Sequence, residues 1–287
     1  MNIQNPVIHN SQGGTADPFV TFENGYFYHC FSDGKNGICV SRFTSLEHMG
    51  DDTKREIFSV YNAEGLERFF APELHKLDGK WYIYAAPNKI GDPIHFMCVL
   101  ESEGLDPVGK YNLLGTIDGI GEKWSIDATT FMYREQRYMF YTDCKNIFLA
   151  KMSAPDKLDG ESVVITTPEY DWEKEMQPIV EGPAVIFDKD TPVLIYSASD
   201  SKCDGYCLGM MRLEGDDPMK KDAWVKHPHP ILSQKEGMFG PGHCSFSVED
   251  GNLYCIFHAN LESGTGNLGR SVFIKRVHFE NGILIFE

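Results

Sequence analysis

Four acidic residues and one histidine recur along the chain at near-constant spacing. Asp17, Glu73, Asp127, Glu181 and His243 are separated by 56, 54, 54 and 62 residues. Each stands in a short motif: Ala16-Asp17-Pro18-Phe19-Val20, Ala71-Pro72-Glu73-Leu74-His75, Ile126-Asp127-Ala128-Thr129, Glu181-Gly182-Pro183-Ala184-Val185 and Gly242-His243-Cys244-Ser245-Phe246. If a fold gathers these positions, the cluster suits metal binding or acid-base chemistry between groups whose pKa values are driven apart. Stability alone does not favour such gathering, because a buried carboxylate is costly unless paired or protonated.

The elements that would gather them follow each motif. The chain continues into Tyr26-Phe27-Tyr28, Trp81-Tyr82-Ile83-Tyr84, Tyr138-Met139-Phe140-Tyr141, Val193-Leu194-Ile195-Tyr196 and Leu253-Tyr254-Cys255-Ile256-Phe257, runs whose residue types favour strands. In three units Asn24-Gly25, Asp78-Gly79 or Asp250-Gly251 stands between motif and run, the pairing that a tight hairpin turn prefers. By analogy every unit opens with a hairpin. Five units of about 57 residues account for all 287, the size of a four-stranded blade. Residues 271–279 and 283–286 supply the last unit's later strands. Residues 44–63 and 154–159 are the places where a short helix or turn fits. The expected fold is therefore all-β: a five-bladed β-propeller in one domain over residues 1–287, with no appended β-sandwich. The first strand of each blade lines the axis, which would bring the five motif residues together.

Composition limits the partners. With 26 Lys plus Arg against 42 Asp plus Glu, the net charge is -16, a balance that repels nucleic acid and anionic membrane but does not penalise a neutral oligosaccharide. No segment approaches the roughly 18 continuous apolar residues of a membrane span. The N-terminus, Met1-Asn2-Ile3-Gln4-Asn5-Pro6, has neither a basic start nor a signal-length apolar run, so a cytoplasmic protein is expected. The eight cysteines form no tight framework and are expected as buried free thiols.

Taken in order, Ala16-Asp17-Pro18-Phe19-Val20, Ala71-Pro72-Glu73-Leu74-His75 leading to Gly79-Lys80-Trp81-Tyr82-Ile83-Tyr84, Ser125-Ile126-Asp127, Glu181-Gly182-Pro183 and Gly242-His243 closely resemble glycoside hydrolase family 43. The resemblance implies a general base at Asp17, a pKa modulator that also orients substrate at Asp127, and a general acid at Glu181. It makes Glu73 a structural or peripheral acid. His243 resembles the family histidine near the axis, often beside a structural calcium; a hydrogen-bonded core histidine is the alternative, and no cofactor is required. Cys244 stands where relatives often carry another polar residue. For Arg270 the resemblance implies a contact to sugar hydroxyls or to a catalytic carboxylate, against a solvated strand-end arginine. Phe70 is placed at the pocket, although aromatic rings serve equally between blades. Trp124 and Trp172 are open between rim and packing.

In an inverting glycosidase one carboxylate activates water and a carboxylic acid protonates the leaving oxygen, about 6.5–9.5 Å apart. The resemblance covers arabinofuranosidase, β-xylosidase and endo-arabinanase; many xylosidase relatives append a C-terminal β-sandwich, so a bare propeller leaves arabinofuranosidase or arabinanase, and the expected cytoplasmic location favours exo release of terminal α-L-arabinofuranosyl units. A non-catalytic glycan-binding propeller and a protein-interaction scaffold are the readings from other classes; neither needs this set of acids. Gly264-Thr265-Gly266-Asn267-Leu268-Gly269 fits the G-x-G-x-x-G dinucleotide pattern, but a strand-like run follows it where that motif needs a helix. A loop beside the pocket is expected there instead.

Overall fold

The computed structural model describes residues 3–287. The described residues form five four-stranded antiparallel sheets, each built from consecutive strands. The first blade holds β1 (Phe19–Glu23), β2 (Tyr26–Ser32), β3 (Gly37–Phe43) and β4 (Glu56–Asn62); the second, β5 (Leu66–Leu77), β6 (Lys80–Lys89), β7 (Cys98–Ser102) and β8 (Tyr111–Thr116). The third holds β9 (Ile126–Tyr133), β10 (Gln136–Thr142), β11 (Ile147–Ala154) and β12 (Lys157–Thr166); the fourth, β13 (Val180–Asp188), β14 (Thr191–Ala198), β15 (Cys207–Leu213) and β16 (Trp224–Lys226). The fifth holds β17 (Phe239–Glu249), β18 (Asn252–Asn260), β19 (Arg270–Glu280) and β20 (Ile283–Phe286). This is the five-bladed propeller that the repeat predicts.

The first two strands of every blade form a hairpin. Asn24-Gly25, Asp78-Gly79 and Asp250-Gly251 all turn through positive φ. The third blade makes its turn with Arg134 and Glu135, both at positive φ, a case the sequence cue does not mark. Residues 44–63 hold a single 3-10 turn at Leu46–His48 and then β4, while 154–159 are the end of β11, a two-residue turn and the start of β12. Among the described residues no helix is long and apolar enough to cross a membrane.

The core lies between blades. Five apolar clusters alternate with the five sheets, so each sheet buries both faces. The cluster between the last blade and the first includes Ile8, packed with Val20, Phe27, Ile256 and Val272. There the N-terminal segment fastens the ring: Val7 N–H donates to Val272 O at 2.8 Å and Val272 N–H to Ile8 O at 2.9 Å. Asn5 extends this pairing with its side chain, since Nδ2 donates to Ile274 O and Ile274 N–H donates to Oδ1, both at 2.7 Å. Replacing this amide leaves two buried-edge backbone groups without partners. Asn5→Ala should therefore lower the unfolding free energy by about 1–3 kcal/mol in urea titration, and an unchanged midpoint would show that the clasp contributes nothing.

Candidate active site

The inner strands reach the axis through a kink. Asp17, Ala71, Asp127, Gly182 and His243, one per blade, all adopt positive φ, between 39° and 57°. In the last four blades the strand register slips around this residue. A left-handed residue costs roughly 1–3 kcal/mol when it is not glycine, and a bulge re-aims the neighbouring side chains. This equivalence corrects the alignment of units drawn from acid spacing. Glu73 lies two residues beyond its unit's kink, and Glu181 one residue before its own. Glu73 is buried away from the pocket and bonded to His75 Nε2 at 2.7 Å, while His75 Nδ1 meets Thr130 Oγ1. It is a structural acid, as the family resemblance implies.

Asp17, Asp127, Glu181 and His243 meet on one cavity of about 750 Å³, with Phe70 and Arg270 on its walls. Arg270 Nη1 donates to Asp17 Oδ1 at 3.3 Å, and His243 Nδ1 lies 3.3 Å from the same oxygen. Arg270 is thus tied to a site carboxylate and not left as a solvated strand end. His258 Nδ1 is 3.4 Å from Oδ1 as well, yet it accepts the Asp17 amide proton, and burial together with Arg270 and His243 holds this ring well below the usual histidine range. His258 is therefore a neutral acceptor that fixes the Asp17 backbone, not a counter-ion.

Asp127 is buried and accepts from Gly182 N–H at 2.9 Å, so it holds the backbone that carries Glu181. Burial, with the nearby charges of Glu181 and Asp17, lifts its pKa to about 7 against the lowering effect of His243 and the Gly182 amide. Burial also lifts Glu181, with Asp17 adding to the shift, while Tyr206, His243 and Arg270 hold it back. Burial pulls His243 down, but the combined charges of Asp17, Asp127, Glu181 and Glu73 outweigh it and leave the imidazole above its ordinary 6.5. The arrangement is one cluster of exchanging protons around few cations.

An aromatic wall faces the acids. Phe70, 40% exposed, stacks on His95 at 3.7 Å, and Trp124 meets His95 edge-on at 5.7 Å. Such a wall offers apolar faces to a sugar ring. Trp124 lines the cavity. Trp172 does not: it packs against the third and fourth blades and donates its indole N–H to Pro228 O. Asn267, in the loop of the glycine-rich decoy, also lines the cavity and accepts from Arg270.

Nothing in residue type or spacing singles out Tyr206, His258 or Cys144. Tyr206 donates to Glu181 Oε1 at 2.8 Å, and the Cys144 thiol lies 3.8 Å from Oε2. The only available signals were a tyrosine between two cysteines and a histidine ending an apolar strand. All eight cysteines are free, six buried as expected; Cys39 and the pocket-lining Cys144 are only partly so. A calcium ion takes six to eight oxygen ligands. His243 turns Nδ1 toward two carboxylates as their cation, and among the described residues no group of three or more His, Cys, Asp or Glu could hold a metal ion.

The family model for glycosyl hydrolases family 43 matches residues 3–284. The chain belongs to glycosyl hydrolase family 43. This family-43 chain is 30% identical over 273 residues to the extracellular exo-alpha-(1->5)-L-arabinofuranosidase of Streptomyces chartreusis, covering 89% of this chain and 82% of that protein. It is 33% identical over 253 residues to the protein of the same name from Streptomyces avermitilis, covering 82% of this chain but 52% of the relative, so it spans about half that relative's length. Among solved structures it is similar to an alpha-L-arabinofuranosidase from Lactobacillus brevis, with a TM-score of 0.86 and 27% identity over 97% of this chain and 94% of the other. An endo-arabinase from Bacteroides thetaiotaomicron, 17% identical with a TM-score of 0.75, shares the fold over 96% of this chain and 98% of its own.

The family-43 site makes its electrostatic cost measurable. Asp127 binds a proton more tightly folded, at about 7, than its ordinary 3.8. Native protein therefore holds more protons between these values, and stability falls as pH rises from about 4 through about 7. Asp127→Asn keeps an acceptor for Gly182 and removes the titration. At pH 8 the variant should exceed the parent in unfolding free energy by on the order of 1–3 kcal/mol, with the gap closing toward pH 4. A gap that widens on acidification would reverse the assignment.

Proposed function

We propose that the chain is an inverting, exo-acting glycoside hydrolase that releases terminal α-L-arabinofuranosyl units from arabino-oligosaccharides or arabinoxylo-oligosaccharides. The observation that carries this reading is the unequal environment of acids around one cavity. Glu181 and Asp127 are pushed toward the protonated form, whereas Asp17 faces Arg270 and His243. The printed names of the Streptomyces and Lactobacillus relatives support the choice of sugar.

In this mechanism the sugar ring lies against Phe70 and Trp124. The contacts to Asp17 from Arg270 and His243 fall on Oδ1, which leaves Oδ2 to take a proton from the attacking water. Water oxygen bonds to the anomeric carbon as the glycosidic bond breaks, and the bonding pair goes to the leaving oxygen, which takes the Glu181 proton. Asp127 fixes the acid's backbone through Gly182, and like charge from Asp17 helps keep the acid protonated. A cytoplasmic setting, suited to free thiols, is part of the proposal; the two Streptomyces relatives are named as extracellular.

Hydrolysis of a nitrophenyl α-L-arabinofuranoside and of an arabino-oligosaccharide tests the roles separately. Glu181→Gln should lose about 10²- to 10⁴-fold on the oligosaccharide and much less on the nitrophenyl glycoside, whose leaving group needs little protonation. Asp17→Asn should lose activity on both. Full oligosaccharide turnover by Glu181→Gln would remove it from the acid role, and a first-formed anomer of retained configuration in proton NMR would refute single displacement.

A further inference from the structure

A buried tyrosine stands behind Glu181. The Tyr206 hydroxyl donates to Glu181 Oε1 at 2.8 Å, and among the described residues this carboxyl oxygen is its one hydrogen-bond partner. A buried phenol proton with a single acceptor goes to that acceptor. Beside the ring, the fully buried Ser197 hydroxyl holds the phenol's pKa down against the burial that raises it, while Ser197 Oγ accepts from His243 N–H at 2.7 Å.

A protonated carboxyl has one carbonyl oxygen and one hydroxyl oxygen, and the incoming phenol proton favours Oε1 as the carbonyl, the stronger acceptor of the two. We propose that Tyr206 is a positioning residue that assigns the acid proton of Glu181 to Oε2, the oxygen on the side of pocket-lining Cys144. Tyr206 itself does not line the cavity. Its ring has no freedom to leave: a Cβ placed on Gly242 would fall 2.1 Å from Cε1, and the ring stacks on His258 at 5.8 Å and 5° from parallel. His258 also holds the Asp17 amide. One buried ring pair thus supports the acid on one side and the base on the other.

The assignment rests on Glu181 being the general acid. In the step, the Oε2 proton moves to the leaving oxygen as that oxygen takes the electron pair of the broken glycosidic bond. Glu181 becomes a carboxylate, and the Tyr206 bond to Oε1, now charge-assisted, strengthens at that moment.

Tyr206→Phe keeps the ring and removes the proton donor. On an arabino-oligosaccharide kcat should fall about 10- to 100-fold with KM within about twofold, while the nitrophenyl glycoside loses far less. The alkaline limb of kcat/KM should move to higher pH, because the lost bond is one that holds the Glu181 carboxyl down. Ser197→Ala, which removes the hydroxyl that holds the phenol's pKa down and so leaves a weaker donor, should give the same pattern in weaker form and decides the matter if Tyr206→Phe melts early in thermal unfolding. Equal losses on both substrates with an unmoved alkaline limb, or wild-type behaviour, overturn the assignment. The acid role itself fails separately, through Glu181→Gln retaining oligosaccharide turnover.

Discussion

The rest of the structure depends on an imbalance of charge in a dry place: three carboxylates share one cavity with Arg270 and one imidazolium as their cations. Three negative charges at such range cannot all persist at low dielectric, so protons are retained. Which carboxyl retains them is set by position. Asp17 takes contacts from both Arg270 and His243, whereas the buried Asp127 lies near His243 alone and Glu181 bonds the neutral Tyr206. The division of labour between acid and base is a consequence of that placement, since the residue types alone are nearly alike.

The propeller makes the imbalance affordable. Each inner strand meets the axis at a left-handed residue, and the strained backbone is held by sheets buried on both faces. Glycine takes that conformation freely, aspartate and histidine more readily than most side chains, and Ala71 poorly. The backbone amides freed by the kinks are then put to use: Gly182 N–H holds Asp127, Asp17 N–H is held by His258, and His243 N–H donates to the buried Ser197 Oγ. Local strain and site geometry are the same feature.

Much of this was legible in the sequence because blades repeat. The motifs, the hairpin turns and the aromatic runs carry the five-unit period, and Asp17, Asp127, Glu181, His243 and Arg270 do converge. What misled was the choice of acid type as the repeat marker. The equivalent positions share a backbone conformation, not a charge, so Ala71 and not Glu73 belongs with Asp17. Tyr206 and Ser197 were invisible for a different reason. Tyr206 acts on Glu181 from behind the cavity and Ser197 acts on the phenol, and no spacing rule encodes contacts between a loop and two strands.

Carbon-13 NMR titration of side-chain carboxyls, assigned by comparison with Glu181→Gln and Asp127→Asn, tests the charge imbalance most directly. The account predicts that the Asp127 resonance titrates near about 7 and the Glu181 resonance above the ordinary glutamate value. Both resonances titrating near about 4, as free carboxylates do, would contradict it.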